Sequence, residues 1–225
     1  MLFRSLDWYR YAQHDSCLRF NYNNFERDFL IYNRAWSGTR EYRLKFCELL
    51  VENELVNTCQ INFSAFDNQN YYLHHVFKNP RLAISKRLHE CIPQYTTRPD
   101  AGASADYSSM DYQNCAIDIV LETLFDDNRI HCTEKIFRPI ACGKPFIAVA
   151  TPGVLSYLKS YGFETFNGLL DESYDTIVDP IDRLKYILEE MKRVAKLPKT
   201  QKHDLYYQLH IVAQRNKQRF FRDRK

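Results

Sequence analysis

The feature of this sequence that most limits its fold is a regular alternation of short apolar runs and longer segments with apolar residues at every third or fourth position. The short runs are typical of buried strands, and the longer pattern is typical of amphipathic helices. Strands joined through helices pair in parallel, because the crossover connection is right-handed. The alternation therefore predicts an α/β fold, a Rossmann-like parallel sheet with helices on both faces. The predicted strands are residues 29–33, 58–63, 115–121 and 146–150.

Capping residues predict where the helices begin and end. Thr and Asp side chains can accept hydrogen bonds from the first free N–H groups of a helix, Pro fits its first position, and Gly fits the position after its last turn. The polar segment 96–114 instead predicts a loop. The helix predictions are residues 40–55 after Thr39, residues 134–142 between Thr133 and Gly143, a helix from Thr151-Pro152 to Gly162, and a helix that starts at Asp179-Pro180.

Composition excludes several classes of protein. The 225 residues are 45% hydrophobic and 26% charged, which is too apolar for a disordered chain and sufficient for one domain with a core. No run approaches the roughly 18 apolar residues of a membrane span, and residues 1–30 contain no apolar core of a signal peptide. The 6 glycines nowhere form the spacing of a dinucleotide-binding loop or a P-loop.

The seven cysteines indicate the redox compartment. None of them is spaced C-x-x-C, so neither a zinc knuckle nor a thioredoxin-type redox pair is supported. Most lie within apolar segments, where a free cysteine behaves as a small hydrophobic residue. We therefore expect reduced thiols, a cytoplasmic location and no membrane span.

Positive charge is concentrated at the end of the chain. Residues 192–225 contain 11 Lys or Arg against 2 Asp, whereas the rest of the chain has a net charge of −6. A tail of this kind can be a solvated helix or a nucleic-acid arm, and the absence of a recognised RNA-binding pattern disfavours nucleic acid. Its apolar residues follow one helical stripe, which predicts packing on residues 1–28 or on a neighbouring subunit. The stripe consists of Leu205, Leu209, Val212 and Phe220.

Candidate binding residues follow two of the predicted strands. In an open parallel sheet, ligands bind beyond the carboxyl ends of the strands, where helix N-termini attract anions. Lys135 would lie in the first turn of its helix, an end at which the helix dipole disfavours cations, so a functional interpretation competes there with a solvated salt bridge. The candidates are Arg34, Arg40 and Arg43 after the first strand, and Glu122, Thr133, Glu134 and Lys135 after the third.

Several segments in order resemble one enzyme family. Residues 133–147, TEKIFRPIACGKPFI, resemble a helix and the following strand of the α-1,3-fucosyltransferases, and are still more similar to putative glycosyltransferases of large marine phages. The similarity continues upstream through residues 29–33 and 43–46, and Glu122 resembles the acidic residue that ends the equivalent strand of the family. Downstream it covers residues 162–166, 171–175, Asp179-Pro180 and Arg183.

The resemblance implies a GT-B glycosyltransferase, specifically its C-terminal donor-binding lobe at residues 29–197. Residues 1–28 would be an extension or a remnant of the acceptor lobe, and residues 198–225 a basic helix. The donor would be a nucleotide-sugar such as a GDP-sugar, and its sugar would be fucose-like. If a phage encodes the chain, the protein would be located in the host cytoplasm. No metal or other cofactor is implied, so Asp126-Asp127 is interpreted as an exposed acidic pair. By the same resemblance, Arg43 and Lys135 would neutralise the diphosphate, Glu134 would hold ribose or sugar, Glu122 would shape the pocket, and Thr133 would begin the binding helix.

The chain departs from the family in its first part, since an acceptor lobe precedes the donor lobe in GT-B enzymes. The chain is then a shortened enzyme, a lobe completed by a second chain or another copy, or a lobe that no longer catalyses. The acceptor, glycan or other, and the catalytic base stay unassigned, and His74, His75 and His131 are interpreted as surface or structural residues. The alternative function is a noncatalytic binding or assembly module, with its basic tail on nucleic acid or on a partner protein.

Overall fold

A computed structural model describes residues 10–22, 24–67, 70–93 and 106–222, and its centre is a four-stranded parallel sheet. The strands of this sheet are β1 (Arg27–Asn33), β2 (Cys59–Phe63), β5 (Cys115–Leu121) and β6 (Phe146–Val149), and a separate hairpin is formed by β3 (Phe66–Asp67) and β4 (Asn70–Tyr71). The order across the sheet is β2-β1-β5-β6, with every neighbouring pair parallel. The predicted α/β fold with a Rossmann-like sheet is confirmed.

Helices cover both faces of this sheet. They are α1 (Arg10–His14), α2 (Tyr42–Glu52), α3 (Leu88–Cys91), α4 (Ser109–Asn114), α5 (Glu134–Cys142), α6 (Val154–Ser160), α7 (Pro180–Lys196) and α8 (Lys199–Arg222). The crossover through α2 steps outward from β1 to β2, and the crossover through α5 steps outward from β5 to β6. Because right-handed crossovers in opposite directions lie on opposite faces, α2 packs with α7 on one face and α5 packs with α1 and α8 on the other.

Two predicted helix starts are confirmed. The Thr133 side chain accepts a hydrogen bond from the Lys135 N–H at 3.3 Å, and the Asp179 carboxylate accepts from the N–H groups of Ile181 and Asp182 at 3.0 Å. Gly143 ends α5 with φ of +71°, a left-handed conformation that favours glycine. Local capping chemistry therefore sets these boundaries.

Three other boundary predictions are wrong. A 3₁₀ turn at Gly38–Arg40 precedes α2, so the helix follows Glu41 rather than the predicted cap Thr39. After β6, Thr151 does not begin a helix, because the chain makes a further turn through Gly153 at φ of +82° before α6. Residues 96–105 of the predicted loop 96–114 lie outside the described residues, and its end is the helix α4, whose first turn is capped by the Ser108 hydroxyl accepting from the Asp111 N–H at 3.3 Å.

The long helix α8 packs along α5 and along the described part of residues 1–28, as its apolar stripe predicted. Leu209, Val212 and Phe220 are buried, and Leu205 is half-buried. The Phe220 ring stacks 6.1 Å from the Phe137 ring of α5. Nearer its beginning, the Lys202 ammonium forms a 2.7 Å ion pair with Asp28, and the His210 ring lies 4.6 Å from the Phe20 ring.

A buried lysine lies under the same N-terminal segment. The Lys144 ammonium donates to the carbonyl oxygens of Tyr112, at 2.6 Å, and of Cys115. It lies 4.6 and 4.8 Å from the ring centroids of Phe20 and Phe25, close enough for cation–π attraction. Burial nevertheless lowers the pKa of Lys144 to about 7, because the charged form has lost its water.

Within the described residues, no helix combines the length and the apolar character needed to cross a membrane.

Candidate functional site

The carboxyl ends of β1 and β5 form the point at which the two halves of the sheet diverge. The segment after β1 leads to α2 on one face, and the segment after β5 leads to α5 on the other, which leaves a crevice between them. The cavity between these two segments is called the basic crevice. Its lining contains five basic side chains and no acidic one: Tyr32, Arg34, Ala35, Arg40, Arg43, Lys135 and Arg138. Its volume of about 40 Å³ holds roughly three waters, which suits phosphate groups rather than a whole nucleotide.

Arg43 lies at the back of the basic crevice and is only 2% exposed. One terminal nitrogen donates to the Ala35 carbonyl at 2.7 Å, and the other donates to the carbonyls of Leu121 and Glu122 at 2.5 and 3.0 Å. Its Nε has no hydrogen-bond partner among the described residues. The guanidinium therefore ties the ends of the two central strands together, while its buried Nε–H group stays without a hydrogen-bond partner among the described residues.

Glu122 and Thr133 fix the start of α5. The fully buried Glu122 carboxylate accepts from the Thr133 N–H at 2.9 Å, from the Thr133 hydroxyl at 2.6 Å and from the Thr123 N–H at 3.0 Å. Both carboxylate oxygens are thus engaged by the protein itself. These two predicted site residues position the helix, and neither lines the basic crevice.

Lys135 projects into the basic crevice from the first turn of α5, with 14% of its side chain exposed. Its ammonium lies 2.7 Å from a Glu134 carboxylate oxygen, and 3.2 and 3.3 Å from the hydroxyls of Thr123 and Thr133. Burial lowers the pKa of Lys135, a shift that Glu122 and Glu134 oppose and the nearby Arg43 reinforces. Glu134 therefore adjoins the site through Lys135 rather than lining it.

Arg34 and Arg40 bring further positive charge to the opposite side of the basic crevice. Arg40 donates through Nε to the Ser37 carbonyl at 3.1 Å. Partial burial lowers the pKa of Arg40, and the positive charges of Arg43 and Arg34 act in the same direction while Asp67 opposes them. Mutual repulsion of these guanidinium groups is relieved when an anion lies between them.

Arg138 is a crevice residue that the sequence interpretation missed. It follows Lys135 by three positions on α5, so the two side chains share a helix face. The Arg138 guanidinium donates to Asp118 at 3.1 Å and to the Tyr112 hydroxyl at 2.8 Å, and it lies 4.7 Å from the Tyr32 ring centroid. The i, i+3 spacing was the available signal, and the buried partner Asp118 was not evident from sequence.

The acidic pair after β5 lies apart from these residues. Asp127 binds Arg129 in the same loop at 2.7 Å, and Asp126 accepts from the Asn79 side chain at 2.6 Å. Among residues 10–22, 24–67, 70–93 and 106–222, no three His, Cys, Asp or Glu side chains are arranged to hold a metal ion.

Comparison with protein-family models, with curated proteins and with solved structures gave no match for this chain.

Proposed function

We propose that the basic crevice binds the diphosphate of a nucleotide-sugar, and that the chain acts as the donor-binding part of a glycosyltransferase. The observation that carries the proposal is the lining itself: five basic side chains and no acidic one, at the point of the sheet where α/β proteins bind ligands. A diphosphate presents several negative charges to such a lining. The motifs of residues 133–147 support a sugar, fucose-like, as the group attached to it.

The arrangement suits departure of a nucleoside diphosphate. When the bond between the sugar C1 and the diphosphate oxygen breaks, negative charge accumulates on the diphosphate. Fixed cations stabilise that charge in the transition state without reorganising. Arg40 and Lys135 would donate to the phosphate oxygens, and the buried Arg43 would act through its charge and its free Nε. No step of this proposal needs a divalent cation, so binding is expected to persist in EDTA.

Calorimetry of Lys135→Ala tests the proposal. The native chain should bind GDP or UDP more tightly than guanosine or uridine, because the neutral nucleosides lack the phosphates. Lys135→Ala should weaken diphosphate binding about 10- to 150-fold, since a charge-assisted hydrogen bond contributes about 1.5–3 kcal/mol. Lys185→Ala is the matched control, because Lys185 is an exposed helix lysine paired with Asp182.

Equal affinity for nucleosides and nucleoside diphosphates would contradict the proposal, as would unchanged binding by Lys135→Ala.

A noncatalytic binding module is the second candidate. The observation that favours it is the engagement of Arg43, Glu122 and Thr133 by the protein itself, which leaves these residues structural roles without any ligand. Such a module would bind the nucleoside diphosphate and never release it from a nucleotide-sugar. Measuring nucleoside-diphosphate release from GDP- and UDP-sugars separates the two candidates.

A further inference from the structure

Transfer of a sugar to a hydroxyl group requires a base that removes the hydroxyl proton. We propose that His75 is this catalytic base and that Glu41 is the residue that positions it. The inference rests on the proposed function, because it assigns a role in the same sugar transfer.

The two side chains form a histidine–carboxylate pair. His75 Nε2 lies 3.1 Å from Glu41 Oε2. Glu41 is 5% exposed, and its carboxylate also accepts from the backbone N–H groups of Lys78, at 3.0 Å, and Asn79, at 2.9 Å. An acidic partner of this kind holds the ring proton on Nε2, which leaves Nδ1 as the acceptor. The His75 side chain is 18% exposed, and the proposal places the substrate hydroxyl at its Nδ1.

Aromatic contacts fix the plane of the imidazole. The His75 ring meets the Trp36 ring edge-on at 5.2 Å and the Phe77 ring at 4.8 Å. Trp36 is itself held in the loop after β1, where the Asp67 carboxylate accepts from the N–H groups of Trp36 and Ser37 at 3.0 and 2.7 Å. The imidazole is thus oriented by the same loop that carries the arginines of the basic crevice.

The carboxylate member of the His75–Glu41 pair is adjacent in sequence to a lining residue of the basic crevice. Glu41 directly follows Arg40, a lining residue, at the start of α2. Neighbouring Cα atoms are about 3.8 Å apart and a glutamate side chain reaches about 5 Å, so His75 Nε2 lies within about 12 Å of the Arg40 Cα. The proposal places the donor sugar within this distance, between a phosphate at Arg40 and the imidazole of His75.

The carboxylates of the site are less suited to the role. Both oxygens of Glu122 accept hydrogen bonds from backbone or hydroxyl groups of the protein. Glu134 is paired with the Lys135 ammonium. Glu122 is therefore occupied by hydrogen bonds within the protein, and Glu134 is engaged by the adjacent ammonium.

The other histidines near this edge lack a buried acidic partner in the described structure. His74 and His131 are exposed. His89 has only Glu90 within ion-pair distance, and that carboxylate is 55% exposed. His75 alone among these pairs with a carboxylate that is fixed by two backbone N–H groups.

The proposed step balances as follows. The acceptor O–H gives its proton to His75 Nδ1, and the oxygen forms a bond to C1 of the donor sugar. The bond between C1 and the diphosphate oxygen breaks, and its electron pair leaves with the nucleoside diphosphate. Glu41 stabilises the imidazolium, which then releases its proton to water.

The test compares His75→Ala and Glu41→Gln with His74→Ala and His131→Ala, two exposed histidines used as controls. Nucleoside-diphosphate release from the nucleotide-sugar, with water as acceptor, gives kcat, and calorimetry gives the Kd for the nucleoside diphosphate. We expect His75→Ala to lower kcat about 10²- to 10⁴-fold, with Kd changed less than about twofold. Added imidazole should restore part of the rate of His75→Ala, an effect that a merely structural histidine would not show.

Several outcomes overturn the assignment. They are an unchanged kcat in His75→Ala, absence of rescue by imidazole, and a loss in His131→Ala instead. A native chain that binds the nucleoside diphosphate without ever releasing it from a nucleotide-sugar also overturns the base, while leaving donor binding intact. A chain that binds no nucleoside diphosphate overturns the proposed function itself. If His75→Ala melts without cooperativity, His75→Asn replaces it, and the split between kcat and Kd decides.

Discussion

Two buried arginines at the carboxyl end of the sheet are stabilised in different ways. Arg138 lies against the Asp118 carboxylate, so its charge is neutralised within the protein. Arg43 donates instead to backbone carbonyls, and its Nε–H has no partner among the described residues. A buried donor without a partner is costly. The Nε of Arg43 would therefore gain a partner if an anion entered the basic crevice.

The single residue Lys144 makes the free energy of unfolding depend on pH. The pKa of Lys144 is about 7 in the folded protein, against about 10.4 in an unfolded chain. Between these values the unfolded state binds more protons, so stability rises with pH, by up to about 1.4 kcal/mol per pH unit. The titratable groups that interact electrostatically with its ammonium include Cys115, Asp118, Cys142 and His210.

Urea unfolding of the native chain and of Lys144→Met, at pH 6 to 10, checks this prediction. The native chain should gain stability relative to the variant above pH 7, and the difference should be constant below it. Parallel curves for the two proteins throughout this range would show that Lys144 keeps its charge in the fold.

Sequence identified four of the five basic crevice residues but not what each one contacts. Arg34, Arg40, Arg43 and Lys135 were found because they follow strands that the apolar pattern made evident. That Arg43 would bind carbonyls of Ala35 and Leu121 was not predictable, because those atoms come together only when β1 and β5 pair. The spacing of neighbouring residues in the sequence cannot predict a contact between segments that are far apart in the chain.

At the scale of elements, helix starts were predictable where the cap is made within three residues. Thr133 and Asp179 bind N–H groups two or three positions ahead, so neighbouring sequence decides the outcome. Thr39 and Thr151 failed as caps because intervening turns, one a 3₁₀ turn and one through Gly153, delay the helix. A Thr side chain is able to cap a helix, but tertiary packing determines whether a helix begins next to it.

Asp179→Ala should destabilise the fold by about 1 kcal/mol, because α7 loses the acceptor for two of its first N–H groups. Asp182→Ala is the control, since Asp182 is exposed and pairs only with Lys185 among the contacts described. Arg81→Ala removes the exposed ion pair of Asp179 and should cost less than Asp179→Ala, because solvent screens an exposed pair. Chemical denaturation measures all three, and equal losses for Asp179→Ala and Arg81→Ala would assign the effect to the ion pair.

At the scale of the whole molecule, α8 is part of the core rather than an appendage. Leu209→Ala should lower the free energy of unfolding by about 2–5 kcal/mol, because a fully buried leucine leaves a cavity. Gln208→Ala, the exposed neighbour, should have little effect. Unfolding curves check both. Intact stability in Leu209→Ala, together with salt-sensitive binding of polyanions by α8, would favour the nucleic-acid arm instead.

The parallel sheet was predictable as a whole because apolar residues predominate in every one of its strands. β1, β2, β5 and β6 each begin and end within two residues of the predicted bounds. The hairpin of β3 and β4 was not predicted, since strands of two residues have no periodicity to detect. The pairing of the sheet could thus be predicted from its buried strands, whereas the short elements β3 and β4 could not be predicted from the sequence.

The docking of α8 on the N-terminal segment constrains how a nascent chain matures. Lys217 donates to the Ala12 carbonyl and Lys202 pairs with Asp28, so residues separated by more than 170 positions meet in the finished fold. A ribosome releases the N-terminal segment long before it releases α8. During that interval Phe20 and Phe25 lack the His210 ring that they later contact. Exposed aromatic side chains of this kind favour aggregation, and the N-terminal segment is covered only after α8 has been synthesised and has docked.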